Sequence, residues 1–322
     1  MIDFLKNRFG HKINKMRKLI ITIIAALLLN STASIAQQIP MYSQYMFNML
    51  NINPAYAGIR EVGNFNMLTR KQWVNFPGAP SSGNLSYDQR LKGKNAGIGA
   101  QLYYDHIGIE KSTGVQGFYS YSAPFKSATL NLGMSLGVLN YRTDYSLTNP
   151  FDAGDASLQN NINGYVPTAG FGAILESERW YVGVSTPALF KTKISTSGQS
   201  GFEAAGKDAH FFLTGGYIIP LDEEYTLKPS VLVKSVSGAP VQYDFNINLW
   251  LGETIGFGAS YRTQDAVVGM FELQLSPQLR MGYGYEHNHS KLVEFNRGSH
   301  EFMIRYELGR QEGKKIQSPR YF

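Results

Sequence analysis

The stretch Leu130-Asn-Leu-Gly-Met-Ser-Leu-Gly-Val138 decides the fold of this chain. Leu130, Leu132, Met134, Leu136 and Val138 take every second position, with Asn131, Gly133, Ser135 and Gly137 between them. A period of two places each set on one face of a strand. The apolar face alone would suit any sheet; the other face separates the possibilities. A soluble sandwich turns Lys, Glu and Thr toward water, whereas small and amide side chains suit the crowded lumen of a narrow barrel.

The same alternation recurs along the chain. Ile98, Ala100, Leu102 and Tyr104 alternate with Gly97, Gly99, Gln101 and Tyr103. Phe245, Ile247, Leu249 and Leu251 oppose Asp244, Asn246 and Asn248. Ile255, Phe257, Ala259 and Tyr261 oppose Gly256, Gly258, Ser260 and Arg262, and Leu279, Met281, Tyr283 and Tyr285 oppose Arg280, Gly282, Gly284 and Glu286. Strands are expected at 61–70, 82–91, 95–105, 113–123, 128–142, 164–175, 179–187, 209–220, 224–235, 241–251, 254–263, 266–275, 278–287 and 299–308. Each is close to the roughly ten residues that a tilted membrane strand needs. Tyr103, Tyr104, Tyr121, Tyr141, Trp180, Tyr217, Trp250 and Tyr261, near strand ends, are expected to form interfacial girdles.

Connection lengths give an independent test. If the first strand starts in the periplasm, every second connection should be a short periplasmic turn. The segments 92–94, 124–127, 176–178, 221–223, 252–253 and 276–277 are short and fall on that side. The long segments 71–81, 106–112, 143–163, 188–208 and 289–298 fall on the outer side, joined by two short ones near 237–240 and 264–265.

Composition agrees. Charged residues make up 17% of the chain, below the roughly 25% usual in soluble domains, and there are 20 Tyr, 19 Phe and 33 Gly. Residues 16–36 read as a secretory leader: Arg17 and Lys18, an apolar run from Leu19 to Leu29, then Ser34-Ile-Ala36 as a small-x-small cleavage site. The expected start is then Met16, the residues before it being otherwise a long n-region, and the expected mature N-terminus is Gln37. Most of the formal +6 comes from Lys6, Arg8, Lys12, Lys15, Arg17 and Lys18 within residues 1–36, so the mature chain gives no reason to expect a nucleic-acid partner. With no cysteine, an exported chain cannot be held by disulfides and needs a large core or a closed hydrogen-bonded sheet.

The fold class expected is therefore all-β: a transmembrane antiparallel outer-membrane barrel of about fourteen strands with a short N-terminal plug. The organisation is a leader (1–36), a plug or hatch segment (37–60), the barrel (61–309) and a periplasmic C-terminal tail (310–322), with both mature termini periplasmic. In the segment before the first strand, apolar residues at 42, 45/46, 49 and 52/53 suit an amphipathic helical turn that Asn53-Pro54 would stop. Such a segment either plugs the periplasmic mouth or lies as an interfacial helix on the inner leaflet. Tyr42, Gln44, Tyr45, Asn53, Pro54, Ala55, Tyr56 and Gly58 are its candidate plug and partner-contact residues.

Little in the sequence resembles a reaction centre. Glu286-His-Asn-His289, with His300 across the hairpin, is the one run resembling a metal or acid/base site, and it reads better as an exposed strand end. His106 and His210 have no Ser and acid fixed beside them by spacing. Neither metal nor cofactor is expected. Asp244, Arg262, Glu272, Arg280, Glu286, Glu301, Arg305 and Glu307 alternate inward on the last five strands, as a paired network filling the lumen or as a polar path through it.

Gln37-Gln-Ile-Pro-Met-Tyr-Ser-Gln-Tyr45, Asn53-Pro-Ala-Tyr-Ala-Gly58 and the terminal Ser318-Pro-Arg-Tyr-Phe322 resemble the ends of the PorP/SprF family of the Bacteroidetes type IX secretion system. Asn53-Pro-Ala55 also looks like the hatch tripeptide of the fourteen-strand fatty-acid transporter superfamily. The resemblance implies a non-enzymatic component that binds or anchors secreted cell-surface proteins, such as gliding adhesins, through their C-terminal sorting domains. Its implied partners are that client, translocon or periplasmic-ring components, and outer-membrane lipid. The alternative is a hatch-gated channel or transporter for small or hydrophobic solutes.

Overall fold

A computed structural model describes residues 41–60, 62–147, 161–189, 194–195, 203–204, 209–236, 239–289, 294 and 296–309. By its contacts the chain divides into a unit of Gln37–Ser237 with Val241–Phe322, which contains the barrel, and one of Met1–Ala36 with Gly238–Pro240. The expected leader, residues 37–40 of the first motif and the C-terminal tail lie outside the described residues, as do most of the outer segments 143–163 and 188–208.

Fourteen antiparallel strands close into a barrel: β1 (Gly63–Lys71), β2 (Ser81–Arg90), β3 (Ala96–Ile107), β4 (Glu110–Pro124), β5 (Thr129–Thr143), β6 (Ile162–Glu176), β7 (Trp180–Thr186), β8 (His210–Tyr217, continued past Ile218 by Ile219–Pro220), β9 (Tyr225–Val236), β10 (Gln242–Leu251), β11 (Ile255–Arg262), β12 (Ala266–Gln274), β13 (Leu279–Asn288) and β14 (Ser299–Leu308). Each pairs with its sequence neighbour, and β1 closes on β14 from Gly63↔Leu308 to Lys71↔His300. Closure removes both sheet edges, which hydrocarbon requires because an unpaired backbone group there costs several kcal/mol. Among the described residues no helix is long and apolar enough to cross a membrane.

The faces follow the alternation, inverted relative to a soluble protein. On β5, Leu136 is 61% exposed while Ser135 is buried. Phe65, Leu85, Val115, Phe245 and Phe302 also point outward, and Asn66, Ser86, Gln116, Asn246 and Glu301 point in. One rim carries tight turns, such as Gly252-Glu253, where both residues take φ of +56°, the left-handed pair that a two-residue hairpin of matching twist demands. The other rim carries the longer connections and so faces outward from the cell.

Two expectations need correction. The outer segment 106–112 is not a long loop: the β3–β4 ladder continues to Ile107↔Glu110 and turns at Gly108, whose φ is +58°. His106 and Lys111 look like loop residues because strands that rise above the bilayer no longer need an apolar face. The second correction concerns the girdle. Tyr104, Tyr121, Tyr217 and Tyr261 point outward, but Tyr141 and Trp250 are buried in the lumen, and Tyr103 shares a face with buried Gln101 and Asp105. Parity decides direction, and Trp250 is in phase with Asn246 and Asn248.

Candidate functional site

The lumen is filled by residues 41–60. They form three single 3-10 turns, Tyr45–Phe47, Met49–Asn51 and Pro54–Tyr56, rather than the expected amphipathic turn of helix. An amphipathic helix needs a wet side, and inside a barrel every side is wall. The segment instead turns at asparagines whose amides bond elsewhere. Asn48 donates to Asn84 Oδ1 (3.2 Å) and Ser86 Oγ (3.1 Å). Asn53, extended before Pro54 as that residue requires, caps the third turn by accepting from Ala55 N–H (2.9 Å). Its Nδ2 also donates to the carbonyls of Ala173 and Val184, both at 3.2 Å, tying the turn to β6 and β7.

Nor is the segment confined to the periplasmic mouth. At the short-turn end Arg60, fully buried, pairs with Glu307 (Nη1–Oε1 2.8 Å) and lies 5.8 Å from the Tyr56 ring centre. Gly58 N–H donates to Asp88 Oδ2 (2.9 Å), and Ser120 Oγ donates to the Ala57 carbonyl (2.6 Å). Midway, the Phe47 carbonyl accepts from Asn66 Nδ2 (3.0 Å) and Arg305 Nη2, and Tyr45 OH accepts from Asn246 Nδ2 (2.7 Å). At the long-loop end the Glu301 carboxylate accepts two successive backbone N–H groups, Ser43 (2.8 Å) and Gln44 (2.7 Å). Arg70 Nη1 donates to the Met41 carbonyl. The segment therefore spans the lumen from rim to rim.

Close approach on one side is permitted by glycine. A Cβ on Gly133 would lie 2.2 Å from Ala55 N, and one on Gly172 2.0 Å from Asn53 Oδ1. On the other sides the segment meets inward apolar residues: Tyr45, Met46, Phe47 and Met49 share one core with Leu68, Leu232, Val268 and Met303. Those four strand residues break the polar-in rule, and that break marks where the plug docks.

The lumen charges form two groups. At the outer end Arg262 bonds Asp244 (Nη2–Oδ2 3.2 Å) and Glu286 (Nη1–Oε2 3.0 Å), while Arg70 takes the other Glu286 oxygen (2.7 Å). Ser43 Oγ donates to the same Glu286 (2.8 Å), so the plug is part of this network. At the periplasmic end Arg280 stacks 4.2 Å from the Trp250 ring centre and lies 3.6 Å from Glu272, with Lys228 Nζ 5.2 Å from the same ring. Arg305 stands apart on the Phe47 carbonyl. All eight lumen charges singled out from sequence are buried. Arg60, Arg70 and Asp88 were not singled out; their signal is a charge at an inward position or just before β1.

The histidine cluster does not assemble. Glu286 faces the lumen while His287 is exposed, His289 stacks on Tyr261 at 5.8 Å, and His300 Nδ1 bonds Tyr283 OH at 2.7 Å. His106 is on β3, against the Gly108 carbonyl, and His210 is on β8 beside Phe212. Among the described residues, no group of three or more His, Asp or Glu could hold a metal ion.

A family model described as "Type IX secretion system membrane protein PorP/SprF" matches residues 34–306. No curated protein matches the sequence. Among solved structures the chain is similar to the Acinetobacter baumannii outer membrane protein Omp33 (9% identity, covering 77% of this chain and 98% of that one, TM-score 0.45). It is also similar to the KdgM porin (11%, 76% and 98%, 0.36) and to a deltaS2S3 mutant of the monoaromatic hydrocarbon channel TodX (12%, 80% and 92%, 0.44). These likenesses concern the barrel alone.

Proposed function

This chain belongs to the PorP/SprF family of type IX secretion system membrane proteins, and from that premise we propose that it is a non-enzymatic component that holds secreted cell-surface proteins by their C-terminal sorting domains. The protein resides in the outer membrane, with its short turns toward the periplasm. The observation that carries the proposal is the filled lumen. Polar bonds tie the plug to β1, β2, β4, β6, β7, β10, β13 and β14, so among the described residues it occupies the interior. What remains available to a partner is the rims.

The outer segments 143–163 and 188–208 are rich in Asn, Ser, Gly and Thr, residues suited to amide contacts and edge pairing with a β-rich domain. Deleting 188–208 should leave an inserted, heat-stable barrel and release its client into the medium. A client that stays on the cell surface would refute the proposal. Purification from native membranes should recover the barrel with a secreted protein and with envelope machinery. Isolation of the barrel alone, with solute uptake through it, would favour the channel alternative.

A further inference from the structure

The path of the plug carries a consequence for topology. Arg60 is bonded to Glu307, which pairs with Asn64 near the periplasmic start of β1. Met41 is bonded to Arg70, one position from the outer end of the same strand. Between them the contacts climb in order: Gly58 at Asp88, Asn53 at Ala173 and Val184, Asn48 at Asn84 and Ser86, then Ser43 at Glu301. Met41 is half-buried, where Ser43 to Met49 are enclosed.

We propose that the mature N-terminus of this protein lies on the outer face of the membrane, presented through the external mouth of the barrel. This differs from the periplasmic N-terminus expected from strand counting, which starts β1 in the periplasm but takes no account of chain that has already crossed the lumen. The lengths are decisive. With Gln37 as the mature N-terminus, the chain preceding Met41 spans at most about 14 Å when fully extended. The nine residues of β1 rise about 30 Å along the strand, or about 20 Å along the axis of a tilted barrel. That lumen is already occupied by residues 42–60, so the leading residues can neither reach the periplasm nor find room to pass.

It follows that the barrel closes around its own N-terminal segment, since that segment bonds strands on both sides of the β1–β14 seam: Asn66 on β1 and Glu301 on β14. The inference goes beyond client binding. It depends on the plug path and the barrel orientation, and a barrel with no client would display the same topology.

The chain contains no cysteine, so single replacements report without background. The test uses the full-length protein in intact cells, treated with a membrane-impermeant maleimide. Gln38→Cys is compared with Asn75→Cys in the exposed β1–β2 connection and Lys126→Cys in the exposed periplasmic turn between β4 and β5. We expect Gln38→Cys to label in intact cells to within about two-fold of Asn75→Cys, while Lys126→Cys labels only after the outer membrane is opened. A second variant, a short epitope inserted after Gln38, should bind antibody on intact cells. If both variants stay silent until the membrane is opened or the protein unfolded, the proposal is overturned.

Discussion

Gly133→Ala adds one methyl group on the inner face of β5, a strand that should otherwise accept it. The new Cβ would lie 2.2 Å from Ala55 N, 2.3 Å from Ala55 Cα and 2.3 Å from the Pro54 carbonyl carbon. All three are backbone atoms, so no side chain can rotate away, and the third turn must retreat by about 1 Å to restore contacts near 3.4 Å. Overpacking of this kind costs about 1–3 kcal/mol. The retreat also strains the two bonds from Asn53 to the carbonyls of Ala173 and Val184, each contributing about 1 kcal/mol. The total expected is about 2–4 kcal/mol. Gly269→Ala on β12 is the control, because a Cβ there meets nothing within 4 Å. The assay is thermal unfolding in detergent, followed by the gel shift between folded and unfolded barrel and by hydrogen exchange of residues 41–60. Gly133→Ala should lower the melting midpoint and speed exchange in the plug by at least ten-fold, leaving β1 and β14 protected. Gly269→Ala should match the parent. Equal behaviour of the two variants would refute the idea that the segment rests on β5.

Three further perturbations probe other parts of the account. Glu301→Gln removes the charge that accepts two plug N–H groups, bonds to charged groups being worth about 1.5–3 kcal/mol each, so exchange at Ser43 and Gln44 should accelerate by at least ten-fold while Gly58 stays protected. Arg60→Met removes one member of the buried Arg60–Glu307 ion pair and should cost about 3–5 kcal/mol in unfolding experiments, whereas Arg60→Met combined with Glu307→Leu should recover most of that loss. Leu136→Arg, at a position 61% exposed toward lipid, should make folding into bilayers less favourable by about 2–4 kcal/mol; an unchanged value would mean that this face does not meet hydrocarbon.

Much of the barrel is legible in the sequence because period-two alternation is local. From β5 to β14 the expected strands differ from the observed ones by no more than three residues at either end, and the faces of Leu132 or Phe245 follow from their immediate neighbours. Misreadings arose where local composition points away from structure. The β3–β4 hairpin carries polar residues because it rises above the membrane, and Trp250 looks like a girdle residue although its parity turns it inward. The path of the plug is of another kind. Ser43 meets Glu301 across 258 positions, and no periodicity connects them. The hints available were compositional: Asn53-Pro-Ala-Tyr-Ala-Gly58 ahead of the first strand, small inward residues such as Gly133 and Gly172, and apolar inward ones such as Leu68 and Met303. Together they say that something fills the lumen, but not how far it climbs.

The most direct test of a lumen sealed by the chain's own N-terminal segment is ion conductance of the purified protein in a planar lipid bilayer. The intact protein should insert and remain electrically silent over long recordings at moderate voltage. Steady conductance through the unaltered barrel would show that residues 41–60 do not close it.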